Sequence, residues 1–297
     1  MNKKILHPKF IGYWFLLLLL YLIVQLPYFL RMKIGEFLGK FFFIVVKSRK
    51  KIVKVNLEKV FPNLSEEEKN NLLKEITKSI GYGFIETGMA WFYSTKKLKE
   101  LSYLDADPNS LKLIEDKNIP VILVGSHSTI LELGVRLLGI YTDSAGMYRP
   151  LKNPFFEEWI KYQRGRAATQ LIHFHNMRLV LSLLKEGNNI WYALDQDMGI
   201  RTGVFAPFFD IPTCSVNILP QLTKKTKAHW IPVFMWRENK KYVVRIMPEI
   251  PQDEKNEPVE VMTKVNKIYE NEIKKYIPQY FWVHRRFKTR PNNEYWY

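Results

Sequence analysis

The chain has 297 residues, of which 47% are hydrophobic, and its formal net charge is +16 at pH 7. Such a charge predicts an acidic partner, which can be nucleic acid, an anionic membrane surface, or an acidic soluble molecule such as a phosphorylated lipid or a carrier protein. Nucleic acid is the weakest of the three, because no zinc-ligand spacing, RNA-binding aromatic motif or helix-turn-helix pattern accompanies the charge. The single cysteine, Cys214, excludes an internal disulfide and is expected to be a buried filler.

The first predicted element is a membrane anchor in residues 1–32. An uncharged run of 21 residues, 10–30, is long enough to cross ~30 Å of hydrocarbon as a helix. Pro27 weakens its distal turn, so a tilted span and an interfacial anchor both remain open. No small-residue cleavage site follows the run, which disfavours a removed signal peptide. Positive charge is in excess on its C-terminal side, which predicts that the bulk of the chain is cytoplasmic.

The remaining residues, 33–297, are expected to form a single domain, because no Gly/Ser-rich or Pro-rich linker divides them. Residues 33–115 are predicted to be helical, with helices near 34–54 and 65–93, the second opened by an acid-rich start. A basic block at 47–59 closely follows the anchor, where it can face an anionic leaflet or simply be a solvated helix face.

From residue 116 to 290 the pattern changes to alternating strands and helices. Strands are predicted at 121–125, 189–195, 228–236 and 241–249, and helices at 131–139, 154–166, 177–185 and 216–224. The alternation predicts an α/β fold with a mixed sheet flanked by helices, preceded by the N-terminal anchor helix. Functional residues in such sheets gather beyond the carboxyl ends of strands, where His127, Asp195 and Asp197 fall.

His127 and Glu132 are the candidate acid–base pair. An imidazole with a pKa near ~6.5 can accept a proton at neutral pH, and a carboxylate can orient it. On one helix the two side chains would diverge by about 140°, so His127 is expected just before a helix, with Glu132 reaching back. Ser126, Ser128 and Thr129 are candidate N-caps, and the amides of that helix start can face an oxyanion. A capped or packed histidine is the alternative.

Other polar residues near the predicted strand ends suit anion recognition. Arginines bind phosphate in a bidentate manner, and the candidates are Arg149, Arg164 and Arg166. The alternative is structural pairing, for example of Arg149 with Asp197. A metal held by Asp195 and Asp197 is weakly supported and none is expected, and His173 and His175 are expected to be structural or rim residues.

Several separated motifs occur in an order that is far more specific than the His/Glu pair. They are GSHSTILELG, MYRPLKNPFFEEW, WYALDQDMG and FWVHRRFKTRP, together with KIVKVNLEKVFPNLS and GFIETGMAWF further upstream. With them the chain resembles, nearly end to end, the late acyltransferases of lipid A biosynthesis, the lauroyl/myristoyl transferases. That family is similar in turn to the glycerolipid (lysophospholipid) acyltransferases, whose HxxxxD motif has Asp where this chain has Glu132.

The resemblance implies a function and roles for individual residues. The enzyme would transfer a fatty acyl chain from an acyl carrier protein thioester to the hydroxyl of a 3-hydroxyacyl chain on a Kdo-bearing lipid A precursor. It would do so without a cofactor, at the cytoplasmic side of the Gram-negative inner membrane. His127 and Glu132 would form the catalytic dyad, whereas substrate binding would fall to Arg149, Arg164, Arg166 and Asp197. Asp195 and the C-terminal Arg285, Arg286 and Arg290 would be structural or phosphate-facing, without preference between the two.

The sequence leaves three alternatives open. The donor can be a coenzyme A thioester and the acceptor another lysolipid. The chain can instead be a non-catalytic protein that binds anionic lipids, or a thioesterase that activates water with the same dyad. The acyl chain length is not predicted, because it depends on which side chain closes a tunnel.

Overall fold

The computed structural model describes residues 3–253 and 255–297, and of Lys3 and Lys4 only the backbone. Met1 and Asn2, at the start of the predicted anchor, and Glu254 lie outside the described residues.

Helices dominate the first third of the chain and alternate with strands afterwards. The helices are α1 Ile11–Gln25, α2 Tyr28–Val45, α3 Lys47–Val60, α4 Glu66–Phe92, α5 Thr95–Glu100, α6 Pro108–Glu115, α7 Leu131–Tyr141, α8 Pro154–Arg164, α9 Met177–Lys185, α10 Leu219–Thr226 and α11 Pro258–Lys275. The strands are β1 Ser102–Ala106, β2 Val121–Gly125, β3 Ala145–Tyr148, β4 Leu171–His173, β5 Asn189–Ala193, β6 Gly203–Phe208, β7 Ile211–Val216, β8 His229–Glu238 and β9 Lys241–Ile246. Short 3-10 helices cover Lys3–Leu6, Pro8–Phe10 and Ile277–Gln279.

The main sheet is mixed, as predicted. Its strand order is β1-β9-β8-β2-β5-β3-β4, in which β8 and β9 pair antiparallel and the other neighbours pair parallel. Strands β6 and β7 form a separate antiparallel pair. The predicted fold class, an α/β mixed sheet flanked by helices, is confirmed.

Strand β2 is apolar throughout because both of its faces are buried. Val121 and Leu123 pack into a core with α7, α8 and the end of α4, whereas Ile122 and Val124 pack into a second core with α9, α10 and α11. Every residue of the strand is buried, because successive side chains point to opposite faces and helices cover both.

The apolar N-terminal run forms two helices rather than one. Leu26 and Pro27 separate α1 from α2, since proline disfavours helical geometry in the preceding residue and lacks an N–H. Within the described residues, the window Pro8–Gln25 has mean hydropathy 1.6 and is long and apolar enough to cross a membrane. The predicted domain boundary after residue 32 falls inside α2.

Helices α2 and α4 cross with their backbones almost in contact. A Cβ added to Gly81 would overlap the carbonyl oxygen of Gly35, and one added to Gly39 would overlap that of Thr77. Glycine at these positions therefore allows the close approach. Helix α4 itself begins with a capping box between Ser65 and Glu68, which confirms its predicted acid-rich start.

Several predicted boundaries are wrong. The helix expected at 34–54 is interrupted at Val46, and that expected at 216–224 begins only at Leu219, because 211–216 is strand β7. Residues 33–115, which were predicted to be helical, also contain strand β1, which lies at the edge of the main sheet. The N-cap of helix α7 is Ile130, whose aliphatic side chain cannot accept a capping hydrogen bond, so the three predicted N-caps are wrong.

Candidate active site

The candidate site lies where two neighbouring parallel strands end. Gly125 of β2 pairs with Ala193 of β5, and His127 and Asp195 each follow two residues later. The backbone N–H of His127 donates to Oδ2 of Asp195 at 3.0 Å, and Nδ1 of its ring lies 2.7 Å from Oδ1 of the same carboxylate. Tyr269 donates its hydroxyl to the carbonyl oxygen of Gly125 at 2.6 Å, which fixes the strand end.

Asp195 is the buried partner of the pair. The residue is 2% exposed, whereas the His127 side chain is 21% exposed. Burial by itself raises the pKa of the Asp195 carboxyl, but the His127 imidazole, its two hydrogen bonds and the Arg286 guanidinium hold that pKa below its usual range. An ionised carboxylate places the ring proton on Nδ1, which leaves Nε2 of His127 as the proton acceptor.

Glu132 does not contact His127, contrary to the sequence-based expectation. Its carboxylate is paired with Arg164, whose Nε lies 3.1 Å from Oε1 and whose Nη2 also binds that oxygen. Glu132 stands in the first turn of α7 and Arg164 in the last residue of α8, so the two helix ends face each other. Nδ1 of His127 is already occupied by Asp195, which explains why Glu132 is not its orienter.

An apolar cavity of about 200 Å³ adjoins His127. Phe174, Trp191 and Met198 contribute to its wall, and Arg149 lines it together with His127. Gly125 has no Cβ where the Trp191 indole packs against it. His127, a base, and Arg149, a cation, thus line a cavity whose wall is otherwise mostly apolar. Such a cavity suits an acyl chain with a reacting group at one end.

Arg149 is exposed and lies over the Phe174 ring, 5.2 Å from its centroid. It is not paired with Asp197, which was the structural alternative. The Asp197 carboxylate is 3% exposed and accepts hydrogen bonds from Gly199 N at 2.9 Å and from Thr289 N and Oγ1 at 2.6 and 2.8 Å. Asp197 therefore ties the loop after β5 to the C-terminal segment.

Arg166 is not among the described residues that line the cavity. Its Nη1 donates to the carbonyl oxygen of Trp91 at 2.7 Å and to Oε1 of Gln163 at 2.8 Å. Of the predicted site residues, the structure thus brings His127 and Arg149 to the cavity, pairs Glu132 with Arg164, and gives Arg166 and Asp197 contacts within the fold.

The backbone amides at the start of α7 were expected to face an oxyanion, and that of Thr129 does not. The Thr129 N–H donates to the carbonyl oxygen of Gln279 at 2.8 Å, so it does not face the cavity as a free oxyanion donor. Phe281, two residues further on, lies against the imidazole with ring centroids 6.2 Å apart. The segment after α11 therefore closes over the strand-end site.

His284 and Arg286 belong to this closing segment. His284 was not assigned a role from the sequence, and Arg286 was expected to be structural or phosphate-facing. Nε2 of His284 accepts the Asp197 N–H at 3.2 Å, and burial lowers the pKa of His284 to about 4. Arg286 is 1% exposed and donates to the Cys214 carbonyl oxygen and to Ser215 Oγ, both at 2.7 Å. Their proximity to Asp195 carries no local sequence signal, because it is created by the return of the chain after α11.

The remaining sequence-based assignments concern minor groups. Cys214 is buried and burial raises its thiol pKa, which confirms the filler prediction. His173 and His175 are exposed beside the end of β4. Asp195 and Asp197 engage His127 and Thr289 respectively, and residues 3–253 and 255–297 contain no group of three or more His, Cys, Asp or Glu side chains that could hold a metal.

Comparisons with known proteins identify similar sequences over nearly the whole chain. The family model described as bacterial lipid A biosynthesis acyltransferase matches residues 1–289. The lipid A biosynthesis palmitoleoyltransferase of Escherichia coli (strain K12) is 35% identical over 300 residues, covering 99% of this chain and 96% of that protein. The lauroyltransferase of the same organism is 31% identical over 293 residues, covering 98% and 95%.

A solved structure, the 1-acyl-sn-glycerophosphate acyltransferase of Thermotoga maritima, aligns with a TM-score of 0.38 and 14% sequence identity over 83% of this chain and 98% of that one.

Proposed function

Because the chain belongs to the bacterial lipid A biosynthesis acyltransferase family, we propose that it transfers a fatty acyl group from acyl carrier protein to a 3-hydroxyacyl chain of a Kdo-bearing lipid A precursor. Its relatives' names include palmitoleoyltransferase and lauroyltransferase, so membership of the family leaves the length of the acyl chain open. The observation that carries the proposal is the His127–Asp195 pair at the edge of an apolar cavity.

The proposed reaction begins with proton removal. Nε2 of His127 takes the proton of the acceptor hydroxyl, and that oxygen attacks the thioester carbonyl carbon to form a tetrahedral oxyanion. The carbon–sulfur bond then breaks, the carbonyl re-forms, and the imidazolium returns the proton to the departing thiolate. Asp195 stabilises the imidazolium throughout.

Arg149 is the proposed stabiliser of the oxyanion, because it lines the cavity with His127. A well-placed donor of this kind contributes about 2.7–4 kcal/mol to the transition state. Glu132 acts through Arg164, whose guanidinium its carboxylate holds in place, and we assign Arg164 to binding an anionic group of the substrate. Arg166 and Asp197 support the binding site indirectly through the contacts described above.

The acidic carrier protein fits the net charge of +16 through electrostatic steering. In this proposal helix α1 anchors the chain in the inner membrane, and the excess of Lys and Arg after the apolar run favours a cytoplasmic catalytic domain. Lipid A precursor and bilayer lipid are then both within reach of the domain.

The test is an assay of detergent-purified protein with a tetraacylated, Kdo-bearing lipid A precursor and acyl carrier protein loaded with C10 to C18 chains, read by mass spectrometry. We expect a mass gain of one acyl group, which is lost in folded His127→Ala and strongly reduced in Glu132→Ala. A parallel series with coenzyme A thioesters identifies the donor.

Three results would overturn the proposal. Transfer from coenzyme A thioesters but never from acyl carrier protein would show that the donor is acyl coenzyme A. Release of free fatty acid without acylated lipid would indicate a hydrolase. Lipid binding without any transfer would indicate a lipid-binding protein.

A further inference from the structure

A second cavity, of about 690 Å³, lies between α2, α3 and α4. Its lining combines the ammonium groups of Lys40, Lys50, Lys74 and Lys78 with the apolar side chains of Phe43, Ile44 and Leu73. Glu75 is the carboxylate among its described lining residues, so the cavity carries a clear excess of positive charge.

Most of these charges are not neutralised within the fold. Lys78 pairs with Glu75 at 2.7 Å. Among the described residues, Lys40, Lys50 and Lys74 form no ion pair with a carboxylate, and all three are exposed. Ammonium groups clustered in this way repel one another unless an anion lies between them.

The cavity adjoins an apolar surface that none of the described residues covers. Phe37, Phe41, Ile44 and Val45 of α2 are 66%, 54%, 66% and 63% exposed. They recur at helical spacing, which places them on one face. Ile44 belongs to this face and also lines the cavity. The apolar face of α2 and the basic cavity are therefore adjacent.

Helix α4 separates this cavity from the candidate active site. Thr77 and Gly81 of α4 contact α2, whereas Ser79 binds Thr129 Oγ1 at 2.9 Å on the side of the strand ends. The described linings of the two cavities share no residue. The basic cavity is therefore distinct from the cavity beside His127.

From this juxtaposition we infer that the cavity between α2, α3 and α4 binds the phosphate headgroup of an anionic phospholipid, with the lipid's acyl chains lying along the exposed face of α2. An apolar helix face inserts into the headgroup–acyl boundary of a bilayer, and basic side chains beside it gain from anionic headgroups. A soluble acidic protein would leave the phenylalanines of α2 in water. This cavity binds a bilayer lipid at the surface formed by α2, α3 and α4, and that binding is independent of acyl transfer.

The inference is tested on the full chain in neutral detergent by native mass spectrometry, titrating dioleoyl phosphatidylglycerol or dioleoyl phosphatidylcholine at near-physiological salt. The test variant combines Lys40→Gln, Lys50→Gln and Lys74→Gln. The matched control removes the same charge from exposed lysines in the last turns of α9 and α10, by Lys185→Gln, Lys224→Gln and Lys225→Gln.

We expect the wild type to retain one phosphatidylglycerol in preference to phosphatidylcholine, and the test variant to bind it about tenfold or more weakly. The control is expected to bind like the wild type, and the thermal unfolding midpoints of all three proteins should agree. Equal retention of both lipids, an unchanged test variant, or an equal loss in the control would overturn the inference. So would a test variant that loses binding of acyl carrier protein but not of phosphatidylglycerol.

Discussion

The carboxylate that orients His127 comes from Asp195, 68 residues further along the chain. At the scale of single residues, this is the feature on which the chemistry depends. Both oxygens of Asp195 face His127, one toward the backbone N–H and one toward the ring. The ring is therefore held in one tautomer and one orientation while its other nitrogen remains available.

Replacing Asp195 by Asn tests this role. Asn cannot stabilise the imidazolium, so we expect Asp195→Asn to lower kcat by about 10²–10⁴-fold with a much smaller effect on KM. Steady-state acyl transfer measures both constants. Asp210→Asn changes an exposed aspartate and serves as the control; wild-type kcat in folded Asp195→Asn would rule out the orienting role.

His284 gives the protein a predictable response to acid. Its pKa is lowered from 6.5 to about 4 in the fold, so between these values the unfolded chain binds a proton that the folded chain does not. The free energy of unfolding attributable to His284 therefore falls as the pH is lowered through this window, by at most about 3 kcal/mol.

The measurement is denaturant unfolding in detergent at pH 7, 6, 5 and 4. His284→Gln is expected to lose this part of the pH dependence. His229→Gln controls for loss of a histidine outside the site. Parallel pH profiles for wild type and His284→Gln would contradict the assignment.

The sequence predicted His127 and Arg149 as site residues, and the two line one cavity, but the predicted partner of His127 was Glu132 rather than Asp195. The spacing of residues along the chain reveals only partners that are close in sequence, as Glu132 is to His127. Asp195 becomes a partner only through the β2–β5 register, and its position at the end of the predicted strand 189–195 was the available signal. His284 and Arg286 follow the last helix and could not be placed by any periodic pattern.

At the scale of elements, the contact between α2 and α4 depends on the absence of side chains. Gly35, Gly39 and Gly81 let the two backbones approach, and α2 then presents its other face outward. The glycines thereby determine where the apolar face of α2 lies relative to the core.

Gly81→Ala is expected to push the helices apart. Overpacking of this kind costs about 1–3 kcal/mol, which should lower the thermal unfolding midpoint measured by circular dichroism. Gly12→Ala in α1 is the matched control, because no atom of the described residues lies within 4 Å of a Cβ there. Equal midpoints for wild type and Gly81→Ala would show that the crossing is not tightly packed.

Strands β2, β5, β8 and β9 were predicted from the sequence, whereas β1, β3, β4, β6 and β7 were not. The apolar run of β2 was predicted with its observed ends, as was helix α9. Strand β7, with the sequence IPTCSV, lacks both a regular alternation and a long apolar run. Its strand form depends on pairing with β6, a contact between segments that no local pattern encodes.

At the scale of the whole molecule, the N-terminal helix is part of the folded core. Tyr13 stacks on Phe155 with centroids 5.1 Å apart, and Trp14 meets Trp159 edge-on at 5.7 Å. Asn153 also donates to the Tyr13 hydroxyl at 3.0 Å. One face of α1 thus packs on α8, while Phe15, Leu18 and Leu22 are exposed.

Two variants separate these roles of α1. Deleting residues 1–26 is expected to lower the thermal midpoint, because each lost aromatic pair contributes about 0.5–1.5 kcal/mol beyond the buried area. Combined Phe15→Gln, Leu18→Gln and Leu22→Gln should weaken partitioning into phosphatidylcholine vesicles, measured by flotation, while leaving the midpoint nearly unchanged. A deletion as stable as the wild type would mean that α1 is only an anchor.

The register of β2 and β5 also determines where the chain tolerates a change of length. His127 and Asp195 meet because each stands two residues beyond a paired position. A one-residue insertion or deletion within either strand end would turn one side chain of the pair to the opposite face of the sheet. Insertions in the exposed connections between β2 and β5 leave that count intact, so diversity in loop length can accumulate there while the two strand ends keep a fixed length.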